Sequence, residues 1–125
     1  MSKNYQKIPS TKNTPEVILD PEGTIEFTGR LIPENAEEFF QPIVEWINEY
    51  FRNPADITTI EIHLEYINSA GTKYLLSMID NIHGNAREGK AVINWYYEEA
   101  DQDMFDKGTI LSMNLNIPFN FISIK

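Results

Sequence analysis

The residues with the most chemistry to offer stand together in the run Asn68-Ser69-Ala70-Gly71-Thr72-Lys73, which holds two hydroxyls, a carboxamide and a cation. A serine hydroxyl has three uses in such a place. It can cap a helix by accepting from an unpaired backbone N–H. It can attack a substrate when a base removes its proton. It can also serve as a group that another protein reaches and acts upon. The second use needs a histidine and an acid in support. The histidines are His63 and His83, and no Ser–His–acid order with supporting context surrounds Ser69. A second cluster, Glu61, His63 and Glu65, falls on one strand face by its two-residue spacing and offers acid–base or metal-binding groups. Water-facing strand surfaces commonly carry Glu and His, and no second ligand cluster accompanies these three. Asp101, Asp103 and Asp106 are similar to a calcium loop only in part, because the glycine and closing glutamate of an EF-hand are missing. There is no glycine-rich phosphate loop.

Two elements must position the 68–73 run. Ahead of it Ile60, Ile62, Leu64 and Tyr66 alternate; beyond it Leu75, Leu76, Ile79 and Ile82 recur at helical spacing. The hydrophobic period changes from two to about 3.6 at Asn68-Ser69. A strand over about 57–67 therefore ends there, and a helix begins there and runs to about Arg87, with Gly89 as its stop. The alternation predicts that Tyr66 joins the core face of the strand. The opposite face, with Glu61, His63 and Glu65, is too charged to be buried, so helices are expected on one side of the sheet only. Ser69 then sits at the rim, either as the N-cap or as a presented hydroxyl. Thr72, in the first helical turn, is the second candidate hydroxyl and suits a structural bond better.

The rest of the chain supplies the frame. Residues 1–14 are polar and read as a flexible or loosely docked lead-in, and 15–125 as one domain. Glu16–Asp20 and Thr24–Gly29 form a hairpin across the Pro21-Glu22-Gly23 turn. Asn35 with Glu38 fits a capping box for a helix whose apolar face holds Phe39, Phe40, Ile43, Val44, Ile47, Tyr50 and Phe51. Pro42 inside that helix is expected to kink or restart it. Lys90–Tyr97 is a further strand, with alternation sending about half of Trp95-Tyr96-Tyr97 into the core. A third helix follows within 98–113, acidic at its start and weakened by Gly108 and Thr109, and 118–124 ends the chain as an edge strand.

Composition narrows the partners. The chain has 125 residues and a formal charge of −9, with only ten scattered Lys and Arg, so nucleic acid and anionic membrane surfaces are disfavoured. The absence of cysteine excludes disulfides and thiolate metal sites. No apolar run approaches the ~20 residues of a membrane span, and Met1–Thr14 lacks a signal-peptide core, so a cytoplasmic protein without membrane insertion is expected. A protein partner is the class that an acidic domain of this size excludes least.

A hairpin, a helix, a strand ending in an Asn-Ser turn, a helix, a strand and a final helix is the element order of STAS domains. Pro33-Glu34-Asn35, Leu64-Glu65-Tyr66-Ile67-Asn68-Ser69 and Trp95-Tyr96-Tyr97 together resemble the SiaC family of STAS-like bacterial phosphoproteins over about residues 14–122. The resemblance implies an α/β, STAS-like single domain with a mixed sheet and helices mainly on one face. It implies a non-enzymatic partner-switching protein that needs no cofactor. The phosphate falls on Ser69, where many relatives carry threonine, and Asn68, Ala70, Gly71, Thr72 and Lys73 shape the acceptor turn and partner surface. A serine/threonine kinase would add the phosphate and a PP2C-type phosphatase would remove it. The unmodified form would bind an effector, in the best-known branch a diguanylate cyclase. A phosphate there would meet the free N–H groups of a helix start, with Lys73 as the nearby cation. The competing expectation is a small-molecule-binding or enzymatic domain on the wet face around His63.

Overall fold

The structure is a computed structural model that describes residues 4–125. Six strands form one sheet in chain order: β1 (Gln6–Ile8), β2 (Glu16–Asp20), β3 (Thr24–Leu31), β4 (Thr58–Ile67), β5 (Ala91–Glu98) and β6 (Phe119–Ile124). The pairs β1–β2 and β2–β3 are antiparallel, and β3 to β6 are mutually parallel. The three parallel crossovers are the helices α1 (Ala36–Tyr50), α2 (Ser69–Asn85) and α3 (Gln102–Met113). The sheet is mixed and its helices cover one face, the arrangement expected of a STAS-like α/β domain.

Alternation builds the core. Val17, Leu19, Ile25, Phe27, Ile60, Ile62, Ile93 and Trp95 point under the helices and are buried. From above, Phe40, Ile43 and Ile47 of α1 and Leu75, Met78, Ile79 and Ile82 of α2 close over them. Trp46 also belongs to this layer, stacked on Tyr50, with its indole N–H donating to the Asn4 carbonyl at 2.9 Å. That bond and β1 tie down part of the stretch read as a loose lead-in: Gln6–Ile8 pairs with Val17–Leu19, and Lys7 lies 3.5 Å from Glu16. Met1–Lys3 lie outside the described residues.

Two helices depart from expectation. α1 is unbroken through Pro42. The lost backbone bond would have gone to the Glu38 carbonyl, and both residues are exposed, so water can replace it. α3 is a full helix because Gly108 is where its backbone presses onto the sheet. A Cβ there would lie 2.5 Å from the Trp95 indole nitrogen, which itself donates to the Met104 carbonyl at 3.1 Å.

The parallel strands all end at one edge of the sheet, and all three helices start there. Each start is capped the same way: Asn35 Oδ1 accepts from Glu38 N at 3.1 Å, Asn68 Oδ1 from Gly71 N at 2.7 Å, and Asp101 Oδ1 from Met104 N at 3.0 Å. Because strand order is sequential and the helices share one face, no order reversal opens a binding crevice at that edge.

Candidate functional site

The turn Asn68–Lys73 is built at the end of β4. The Asn68 N–H donates to the Leu31 carbonyl at 3.1 Å, which pins the turn to the neighbouring strand. Asn68 is extended (φ −95°, ψ 179°) and its carboxamide fills the cap. Its carbonyl accepts twice from Thr72, from the N–H at 2.8 Å and the hydroxyl at 2.9 Å. Thr72 is thus half-buried and engaged, as a structural hydroxyl. Gly71 lies where α2 meets β3: a Cβ on it would sit 2.6 Å from the Leu31 carbonyl oxygen and 3.1 Å from Asn68 Oδ1. Only glycine lets the helix start this close to the sheet.

These contacts assign the N-cap of α2. The cap is Asn68, and Ser69 is the first residue inside α2, exposed together with Ala70 and Lys73. Its hydroxyl stands at the positive end of the helix dipole with the capping work done by its neighbour.

The rim around Ser69 holds residues that alternation in the sequence misplaced. On β3 Gly29 pairs with Leu64, but the next residue, Arg30, pairs with Tyr66, so Glu65 is an extra residue in β4. This bulge shifts the side-chain phase by one. Tyr66, expected in the core, is 60% exposed, and Ile67 takes the buried position instead at 5%. The bulge turns Glu65 and Tyr66 toward Arg30, whose guanidinium lies 5.6 Å over the Tyr66 ring and 3.8 Å from the Glu65 carboxylate. From α3, Lys107 reaches the same corner, 3.4 Å from the Ile67 carbonyl. No local sequence signal marks Lys107, because only the fold brings α3 beside the end of β4.

The wet face does not assemble as acid–base chemistry would need. Glu26, Glu61, Asn94 and Asn120 line up across four strands. Both Glu61 oxygens are already acceptors, one from the Tyr96 hydroxyl and one from Asn94 Nδ2 at 2.7 Å, and Asn94 in turn accepts from Asn120 at 3.0 Å. The hydrogen bond to the Glu61 carboxylate, helped by burial and the charges of Glu61 and Glu26, pushes the Tyr96 phenol up to about 12. His63 lies beside Tyr96, ring centroids 5.8 Å apart, while Glu65 has been turned away to Arg30. Among the described residues no three His, Asp or Glu side chains are grouped to hold a metal ion. A cavity of about 590 Å³ lies at the far end of α2 beside His83, Arg87 and Pro118, away from both clusters.

Residues 8–124 match the family described as SiaC family regulatory phosphoprotein. The chain belongs to the SiaC family. An uncharacterized protein of Pseudomonas aeruginosa is 22% identical over 114 residues, 90% of each chain. Among solved structures, SiaC of Pseudomonas aeruginosa superposes with a TM-score of 0.85 at 20% identity, over 97% of this chain and 99% of that one. The same protein, solved as the activator in complex with the diguanylate cyclase SiaD, gives 0.87 at 20% identity, over 95% and 99%. At that identity the structures establish a shared fold, and the family match makes this chain a regulatory phosphoprotein. No helix among the described residues is long and apolar enough to cross a membrane.

Proposed function

We propose that this SiaC family member is a partner-switching protein whose phosphate is carried by Ser69. A serine/threonine kinase adds it, a PP2C-type phosphatase removes it, and the unmodified form binds and activates an effector, a diguanylate cyclase. The observation that carries the reading is the exposed Ser69 hydroxyl at the first position of α2, with Asn68 already filling the cap. The phosphoprotein family supports modification, and the solved complex of a structural relative with a cyclase supports the class of effector. The physics of the switch is local. Phosphorylation adds about −1.5 to −2 charge and three acceptor oxygens. Those oxygens are tolerated in water at a helix start, but in the middle of a docked interface an uncompensated dianion opposes binding. About 3 kcal/mol of such opposition weakens an affinity more than a hundredfold.

The test is peptide mapping of the protein purified from its own host, wild type beside Ser69→Ala. A phosphate on the Ser69 peptide that is lost in the variant supports the reading, as does effector binding by the unmodified form alone. With kinase and phosphatase active in turn, a Ser69 peptide that never carries phosphate sinks it.

A further inference from the structure

Lys107 is held in a position that the reading of Ser69 does not by itself explain. Its ammonium lies 2.9 Å from Asp103 Oδ2 and 3.4 Å from the Ile67 carbonyl oxygen. That carbonyl belongs to the peptide joining Ile67 to Asn68, so chain geometry keeps the ammonium within about 10 Å of the Ser69 Cα. The flexible four-carbon stem of a lysine and a phosphate carried on a serine side chain together span a gap of that order. The present partner is a weak competitor. Asp103 is an i, i+4 carboxylate with its side chain 76% exposed, and such pairs are held loosely. A phosphate dianion carries nearly twice the charge and three acceptor oxygens.

We propose that Lys107 is the cation that receives the phosphate at Ser69, exchanging Asp103 for it. This rests on Ser69 being the phosphoacceptor. The exchange joins α3 to the start of α2 across the sheet edge. It also leaves the Asp103 carboxylate unneutralised in a cleft of about 410 Å³ that already holds Glu65, Glu98 and Asp101. The modified rim is therefore more acidic than the added phosphate alone would make it, which extends the repulsive area toward α3. Arg30 and Lys73 are the other cations at this rim, but Arg30 is engaged with Tyr66 and Glu65, and Lys73 is exposed on α2 itself, where pairing would couple the phosphate to no second element.

The experiment uses the full chain with phosphoserine installed at position 69 during translation, so that no kinase is involved. The second ionisation of the phosphate is followed by phosphorus NMR at low salt. Its surroundings also include Arg30, Glu65, Lys73 and Asp103, so single variants separate the contributions. The expected result is a second pKa below the free value of about 6 by roughly half a unit, returning toward it in Lys107→Gln and retained in Lys107→Arg. Asp103→Asn, which keeps the lysine and removes its competitor, should lower it further. A Lys107→Gln protein that titrates like wild type, or a shift abolished by Lys73→Gln alone, overturns the proposal. If Lys107→Gln does not fold, an Asp103→Asn protein with an unmoved titration does the same. Failure of host phosphorylation at Ser69 would refute the functional reading without touching this titration.

Discussion

The start of α2 offers a substitution whose sign is set by tertiary contact. Replacing glycine by alanine inside a helix normally stabilises it by about 1 kcal/mol, because alanine loses less backbone entropy. At Gly71 the new methyl would lie 2.6 Å from the Leu31 carbonyl oxygen and 3.0 Å from Leu31 Cγ. The first neighbour is backbone within a sheet and cannot rotate away, so α2 must lift from β3. Overpacking of this kind costs about 1–3 kcal/mol. After the helix gain is subtracted, and with strain on the Asn68 cap and the 3.1 Å bond from Asn68 N to Leu31 O added, we expect a net loss of about 2 kcal/mol. Gly84, near the other end of the same helix, is the internal control. Nothing lies within 4 Å of a Cβ there, so Gly84→Ala should stabilise by about 0.5 kcal/mol, less than the full amount so close to a helix end. Urea unfolding of both variants, read as midpoint shifts at constant slope, makes the comparison. A Gly71→Ala protein as stable as wild type, with Gly84→Ala showing its gain, would refute the claim that close approach to Leu31 demands glycine.

Three further outcomes follow from particular contacts. Asn68→Ala should cost about 1 kcal/mol through the lost cap, while Ser69→Ala stays within about 0.5 kcal/mol; the reverse order in denaturant melts would reassign the cap. Tyr66→Ala should likewise change stability by less than about 1 kcal/mol, against the 3 kcal/mol or more of a buried aromatic, so a large loss would place Tyr66 in the core and remove the bulge. Tyr96 should resist ionisation to about pH 12, and Glu61→Gln should bring it back toward 10, as read by ultraviolet titration of single-tyrosine differences. The folded-state value is raised, so the contribution to stability is complete below the unfolded value near 10 and is lost as pH climbs through about 12.

Much of this protein follows from local pattern. The period change at Asn68-Ser69, the Asn35 cap, the hairpin turn and the apolar faces of α1 and α2 are short-range features, and chain-local physics decides them: side-chain periodicity, turn chemistry and capping oxygens. The charged faces of β4 residues announced a sheet covered on one side. The candidate hydroxyl was legible for the same reason, since a strand-to-helix change has to be capped and exposed near that point. What the chain order could not carry is whatever depends on who lies next to whom across the sheet. Alternation alone sent Tyr66 inward; pairing with β3 forced the Glu65 bulge and turned it out beside Arg30. Gly108 read as a weakness in α3 until Trp95 lay against it, and Gly71 as a turn residue until Leu31 did. Glu61 and His63 looked available until Tyr96 and Asn94 of the neighbouring strand took both Glu61 carboxylate oxygens. Lys107 stands 38 residues beyond Ser69 in the chain, yet the β5–α3 crossover sets it at the same rim. Local periodicity is fixed by bonds along the backbone; these contacts are fixed by sheet register and helix packing, which only the folded chain decides.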